Sequence, residues 1–177
     1  MSLEEEIECF TRNTSDLIVD SFKSEKSLDP QLWIFFQLGE KLDVTCIPIL
    51  SNALNSQRGK DIIEAGIIEL LASFNHVGIL PVCILWATEA WVKGGDPKDL
   101  MKDDKLDMNL VEKLPKKEVI VLNYETETHT QIVLYEVVGE ERNLVPYENE
   151  KTGGKQPLSS SGGRFSNFIK RMKEYEW

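Results

Sequence analysis

Residues that commonly carry catalysis or metal binding are scarce in this sequence. Its 177 residues include two histidines, His76 and His129, and three cysteines, Cys9, Cys46 and Cys83. None of them stands at a metal-ligand spacing such as Cys-x-x-Cys, and three scattered cysteines do not make a disulfide framework. The sequence therefore predicts no metal site, no cofactor and a compartment that keeps thiols reduced.

The motifs of covalent catalysis and nucleotide binding are missing too. The chain has no Gly-x-Ser-x-Gly sequence, which places a nucleophilic serine on a strained turn. Gly153-Gly154-Lys155 lacks the spacing of a phosphate-binding P-loop and the serine or threonine that follows its lysine. Cys83 lies within an apolar run, where burial raises the pKa of a thiol and lowers its reactivity, so we expect it to pack in the core.

Basic residues are outnumbered by acidic ones, 20 to 30, which gives a formal net charge of −10. Because an acidic surface repels phosphate backbones, the sequence predicts no nucleic-acid binding, and it is compatible with a basic or amphipathic partner.

The hydrophobic fraction of 41% is enough to bury a core. A chain of this length suits one domain over residues 1–177.

Long hydrophobic runs are absent as well. The longest apolar stretch, residues 78–92, contains Pro81 and Glu89 and is shorter than a membrane span. Residues 1–6 are acidic, whereas a secretory signal begins with basic residues before an apolar run. We therefore expect a cytoplasmic protein that makes no membrane contact.

Three segments have helical periodicity. Ser2 and Glu5 form a capping-box pattern, and apolar residues then recur at steps of three and four, which predicts a helix to about Lys23. Asp61–Phe74 has one apolar face and acidic residues in its first turn, where the helix dipole favours them. Arg164–Tyr175 is predicted as a short amphipathic helix with a basic outer face.

Several shorter segments are rich in β-branched and aromatic residues, as strands are. The predicted strands are Leu32–Leu38, Val44–Ile47, Val119–Leu122, Ile132–Tyr135 and Leu144–Tyr147. Two of these, Val119–Leu122 and Ile132–Tyr135, are apolar on both faces, which predicts central strands covered on both sides. Pro48 and Pro146 lack an amide donor, so Pro48 either ends its strand or places it at an edge of the sheet, and Pro146 marks an edge strand.

Leu80–Val92 is ambiguous between strand and helix. Its valine, isoleucine, threonine and tryptophan content favours a strand, whereas Ala87, Glu89 and Ala90 would suit a helix. We predict a strand, and in that case Trp86 and Trp91 point to opposite faces.

The segments near 94–117 and 151–163 lack apolar periodicity and are predicted as mobile loops, the first with one helical turn near Leu110. The predicted order is helix, two strands, helix, three or four strands, helix. Such an order most simply builds an α+β domain with one antiparallel sheet of five to six strands and helices against it. Profilin-like and roadblock-like folds have a similar order.

Glu89-Ala90-Trp91 and the segment that follows, as far as residues 118–121, resemble small uncharacterised bacterial and phage proteins. In those proteins a strand ends in Glu-Ala-Trp before a meander of strands. The resemblance covers about a third of the chain and implies no activity.

Two functional hypotheses follow. The first is a non-enzymatic protein-binding or adaptor domain, which meets a protein partner or a second copy of itself through its surface. The alternative is a small enzyme or ligand-binding protein with a site around Glu89, Trp91, His129 and Arg164. A deep polar pocket that holds those side chains would favour the alternative, and an exposed apolar groove would favour the binding domain.

The candidate residues of the alternative have distinct roles. Glu89 and His129 are the catalytic candidates, because a carboxylate in an apolar run has a raised pKa and can act as an acid or base. The preferred interpretation of Glu89 itself is that it reaches solvent at the strand end or pairs with Lys93. Trp91, Ser161 and Arg164 are the ligand-binding candidates, since a helix start with hydroxyls and a guanidinium suits an anion.

Overall fold

A computed structural model of the chain describes residues 2–93, 101–102, 105–147, 155–157 and 166–175. Its helices in this part of the chain are α1 (Leu3–Glu25), α2 (Gln57–His76), α3 (Met108–Lys113) and α4 (Phe168–Lys173), and a 3-10 helix, Ser51–Asn55, precedes α2. Its strands there are β1 (Gln31–Leu38), β2 (Lys41–Pro48), β3 (Leu80–Lys93), β4 (Met101–Lys102), β5 (Lys105–Leu106), β6 (Lys116–Thr126), β7 (His129–Val138), β8 (Asn143–Pro146) and β9 (Gln156–Pro157).

Six strands form one antiparallel sheet in the order β2-β1-β3-β6-β7-β8, and the short β9 pairs with the beginning of β7. β4 and β5 pair separately. β2 and β8 lie at the two edges of this sheet, and they end at Pro48 and Pro146. Edge positions suit proline, which has no amide to donate to a neighbouring strand. The predicted α+β architecture with a single antiparallel sheet is therefore confirmed.

Helices cover both faces of the sheet because side chains alternate along each strand. α1 packs on the face that carries Cys83, Leu85 and Leu122. α2 and α4 pack on the opposite face, which carries Ile84 and Trp86. The chain thus has two apolar layers, one on each side of β3 and β6.

α1 and α2 are the long helices. At the start of α1 the Ser2 hydroxyl accepts the Glu5 amide while the Glu5 carboxylate accepts the Ser2 amide, so the predicted capping box is confirmed. The helix ends at Glu25, and Lys26 follows in the left-handed conformation. No helix in the described part of the chain is long and apolar enough to span a membrane.

β3 resolves the one ambiguous segment as a strand. It is hydrogen-bonded to β1 on one side and β6 on the other, so its apolar run fills the middle of the sheet. Trp86 is buried beneath α2 and α4, whereas Trp91, which alternation places on the other face, has an exposed fraction of 65%. The content of β-branched residues therefore outweighed the helix-forming Ala87, Glu89 and Ala90.

β6 and β7 differ in burial, although both were predicted to be covered on both sides. Ile120 and Leu122 of β6 are fully buried. Val133 and Tyr135 of β7 are only half-buried, and Ile132 is exposed on the other face. The prediction was wrong for β7 because α2 and α4 pack mainly on β3, with α4 also reaching β6, which leaves the Ile132 face of β7 less covered. On the α1 face, Val133 and Tyr135 line a hollow beside the helix.

The segment predicted as a loop near 94–117 contains regular structure. The helical turn expected near Leu110 is α3. The Asp107 carboxylate caps this helix by accepting a hydrogen bond from the Asn109 amide at 2.9 Å. β6 already begins at Lys116. The mobility of this connection, and of residues 151–163, stays a prediction.

Candidate functional site

A cavity of about 440 Å³ lies between the first turns of α1 and the end of the sheet where β3 and β7 begin and β6 ends. Its apolar walls come from Leu3, Ile7, Leu80, Val82, Cys83 and Ile169. Ligand-binding pockets have volumes of about 300–1,000 Å³ and mostly apolar walls with a few polar groups. The size and lining of this cavity are therefore those of a binding pocket.

The helical repeat of α1 explains the wall it contributes. Leu3, Ile7 and Thr11 are spaced by four residues and so lie in one row along the helix, facing the sheet. At the inner end of this row the Tyr124 hydroxyl of β6 donates a hydrogen bond to the Thr11 carbonyl at 3.3 Å. This bond ties α1 to the sheet where the cavity closes.

Two lysines from the last quarter of the chain reach the rim of the cavity. The Lys155 ammonium lies 2.9 Å from the Glu4 carboxylate and also contacts Glu8, one helical turn further along α1. The Lys173 ammonium of α4 lies 2.7 Å from the Glu127 carboxylate. The hydrogen bond from Lys155 is the main reason that the pKa of Glu8 is lowered.

Among the sequence candidates that the structure describes, His129 lies on this cavity. Its Nδ1 atom is 3.0 Å from the Thr126 hydroxyl and 3.2 Å from the Thr128 hydroxyl. Its backbone amide donates to the same Thr126 hydroxyl, and β9 pairs with it through Pro157. The two threonines at the β6–β7 turn therefore fix the orientation of the ring at the cavity wall.

The Cys83 thiol and the Tyr124 hydroxyl on the cavity wall remain protonated at neutral pH. Burial raises the pKa of the Cys83 thiol to about 12. Burial also raises the pKa of the Tyr124 hydroxyl well above its ordinary value of 10.0. Because a thiolate, not a thiol, is the nucleophile, Cys83 is an apolar wall residue, as the sequence predicted.

Glu125 supports the cavity from the other face of the sheet. Its carboxylate is buried and accepts hydrogen bonds from the Asn167 amide at 2.5 Å and the Ile169 amide at 3.3 Å, at the start of α4. Desolvation by burial raises its pKa, and the amide hydrogen bonds oppose that rise. Glu125 thereby positions α4, which brings Ile169 and Lys173 to the cavity.

Glu89 belongs to a separate ion-pair network. Its carboxylate accepts the Leu28 amide and lies 2.9 Å from the Arg142 guanidinium, which also binds both carboxylate oxygens of Glu118. Arg142 adopts a left-handed backbone conformation in the β7–β8 turn and covers the ring of Phe22. The network connects the end of α1, β3, β6 and this turn.

The predicted partner of Glu89 was therefore wrong. Its partner is Arg142, and Lys93 instead donates to the Glu112 carbonyl at 3.0 Å. Arg142 was missed because nothing in the local sequence links a turn residue to a strand 53 positions earlier.

The structure does not bring together the three candidate residues that it describes, Glu89, Trp91 and His129. Glu89 lies beside Ile120 on β6, six residues from the end of β6 that contacts His129, which is a separation of about 20 Å along the sheet. Trp91 is two residues further from His129 than Glu89 is. Ser161 and Arg164 lie outside the described residues.

The rim residues of the cavity that sequence reasoning missed are Glu4, Glu8 and Lys155. The four-residue spacing of Glu4 and Glu8 beside Leu3 and Ile7 was the available signal, because it places carboxylates along the edge of an apolar helical row. A second hollow of about 400 Å³ continues the cavity along α1 and shares Glu8, Thr11 and Lys155 with it.

Comparison with known proteins adds no family assignment. The chain matches no protein-family model, and no curated protein or solved structure is significantly similar to it.

Proposed function

We propose that this chain is a non-enzymatic protein-binding domain and that the cavity beneath α1 receives apolar side chains of its partner. The observation that carries the proposal is the cavity itself, whose volume and apolar walls suit the anchoring side chains of a protein or peptide. Its walls belong to helices and strands, so the site is positioned before a partner arrives. We place this binding in the cytoplasm, with a protein and not a nucleic acid or a membrane as the partner.

The polar groups of the cavity support binding over bond making. Lys155 and Lys173 are engaged by carboxylates, and Nδ1 of His129 is engaged by two hydroxyls. The Cys83 thiol has a pKa of about 12 and is protonated at neutral pH. A bound side chain would therefore contact mainly apolar surface in the cavity, and burial of that surface favours association.

Site-specific photo-crosslinking in cells that produce the chain tests this function. A p-benzoylphenylalanine would replace Leu3, which lines the cavity and has an exposed fraction of 41%. The matched control would carry it at Ile62 on α2, whose exposed fraction is 62% and which packs on the opposite side of the sheet. We expect a protein adduct from position 3 that position 62 does not give.

Two results would contradict the proposal. One is the same set of adducts from both positions, which would show nonspecific contact. The other is no protein adduct from position 3 in cells where the chain is functional. An adduct with a second copy of the chain would support the self-association form of the proposal.

The alternative function, a small enzyme or ligand-binding protein, has one observation in its favour. His129 lies on the cavity wall with its ring held by Thr126 and Thr128, as a general acid or base must be held. Replacing His129 with Gln keeps hydrogen-bonding capacity and removes the imidazole that could transfer a proton. Loss of a cellular phenotype in the His129→Gln variant with an unchanged adduct from Leu3 would favour the alternative.

A further inference from the structure

Among the residues that the structure describes, the rim of the cavity carries more negative than positive charge. Its carboxylates are Glu4, Glu8 and Glu127, and its ammonium groups are Lys155 and Lys173. The chain as a whole has a formal net charge of −10, so approach to this rim is electrostatically favourable for a basic segment.

The carboxylates already show how the rim holds an ammonium group. Glu4 and Glu8 lie one turn apart on α1, and their side chains converge on the single ammonium of Lys155. Leu3 and Ile7 stand next to them in sequence and line the cavity. A pair of carboxylates thus borders an apolar cavity, which is the arrangement that a basic side chain with an apolar neighbour would match.

We propose that the partner enters the cavity with a basic segment, whose lysine or arginine side chain is held by Glu4 and Glu8 while a neighbouring apolar side chain fills the cavity. This inference rests on the proposed function and adds the chemical class of the partner. It also gives Lys155 a role: its ammonium occupies the position that the partner's basic group takes. Partner binding therefore competes with Lys155.

Charge complementarity decides between this occupant and an acidic one. A carboxylate-bearing segment would have to draw Lys155 or Lys173 away from Glu4, Glu8 and Glu127 and would leave those carboxylates facing its own charge. A basic segment replaces one ammonium by another and leaves Lys155 free to reach solvent. The second exchange costs less electrostatic free energy.

Fluorescence anisotropy with labelled model peptides tests the inference on the full chain. The probe is a seven-residue peptide of alternating leucine and lysine, and the control peptides carry norleucine or glutamate in place of lysine. We expect the lysine peptide to bind the wild-type chain more tightly than either control. Lys155→Gln should tighten that binding by about two- to fivefold, the range expected when one exposed ion pair no longer competes.

Matched variants locate the effect. The double variant Glu4→Gln with Glu8→Gln should weaken binding of the lysine peptide roughly fivefold or more. The control is Glu25→Gln with Glu69→Gln, which changes the net charge equally at exposed positions that do not line the cavity, and it should leave the affinity close to that of the wild type. Leu3→Trp, which adds bulk at the cavity mouth, should block the lysine peptide.

Four other results would refute the inference, and each points to a different explanation. Equal affinities for the lysine and norleucine peptides, both blocked by Leu3→Trp, would overturn it and leave the proposed cavity function standing. Tighter binding of the glutamate peptide would overturn it in favour of an acidic ligand held by Lys155 and Lys173. Equal losses in the two double variants would show that only the net charge matters, and absence of binding by the lysine peptide would also refute it.

Discussion

Replacing Leu122 with Ala should destabilise the fold far more than the same change at an exposed leucine. Leu122 is fully buried on the α1 face of β6, where it lies between Ala87 of β3 and Val133 of β7. The substitution loses the transfer free energy of the deleted carbons, and it leaves a cavity where they were. Leu-to-Ala changes of this kind cost about 2–5 kcal/mol.

The surroundings of Leu122 place the expected cost in the upper part of that range. Both flanking strands are hydrogen-bonded to β6, and the side chain of Ala87 is too short to fill the space. The cavity therefore collapses only partly, and we expect a loss of about 3–5 kcal/mol in the free energy of unfolding.

Urea denaturation followed by circular dichroism measures this free energy, with Leu17→Ala as the control. Leu17 has an exposed fraction of 58% on α1, so the same change in chemistry there should stay within about 0.5 kcal/mol. A loss below about 1 kcal/mol for Leu122→Ala, at an unchanged urea dependence, would refute the assignment of Leu122 to the core.

Three further predictions concern the polar contacts and the connections. Because burial raises the folded-state pKa of Glu125 above 4.5, the folded chain binds this proton more tightly than the unfolded chain. The free energy of unfolding of the wild type, measured relative to Glu125→Gln, should therefore rise as the pH falls from 8 to 5, and a fall would contradict the assigned burial. Arg142→Met leaves two carboxylates without their counter-charge and should lower the free energy of unfolding by about 1–3 kcal/mol in urea titrations, whereas a neutral result would show the network to be dispensable. Limited proteolysis should cut first within residues 94–115, which precede β6, and within residues 151–163, and early cleavage inside β1 or β6 would contradict the core assignment.

Local signals were enough to predict most of the fold. The Ser2 and Glu5 capping box and the apolar repeat that follows it predicted α1, and the β-branched runs predicted the strands of the sheet. These signals act over a few residues, so one sequence contains them in full. The boundaries were less certain: α2 begins at Gln57, four residues before the predicted Asp61, because its cap is the Ser56 hydroxyl and not the acidic residues of its first turn.

The candidate site was harder to predict because its contacts join distant parts of the chain. Lys155 meets Glu8 from 147 positions away, and Arg142 meets Glu89 from 53 positions away. No periodicity or spacing encodes such pairs. His129 was predicted as a candidate from its residue type alone, and what places it on the cavity is the β6–β7 turn.

The half-buried state of β7 could not be read from the sequence either. Its residues Ile132 to Tyr135 are as apolar as those of β6, yet α2 and α4 leave the Ile132 face less covered, and Val133 and Tyr135 line a hollow beside α1 on the other face. Which strands a helix covers depends on tertiary packing, and strand composition reports it only on average.

The affinity of the crosslinked partner for two tryptophan variants tests the central claim most directly. Leu3→Trp narrows the cavity at its mouth, and Ile62→Trp adds the same bulk on the exposed side of α2. With both variants shown to be folded, isothermal titration calorimetry should give a loss of about tenfold or more for Leu3→Trp and an unchanged affinity for Ile62→Trp. Wild-type affinity in Leu3→Trp would contradict the assignment of the cavity beneath α1 as the binding site.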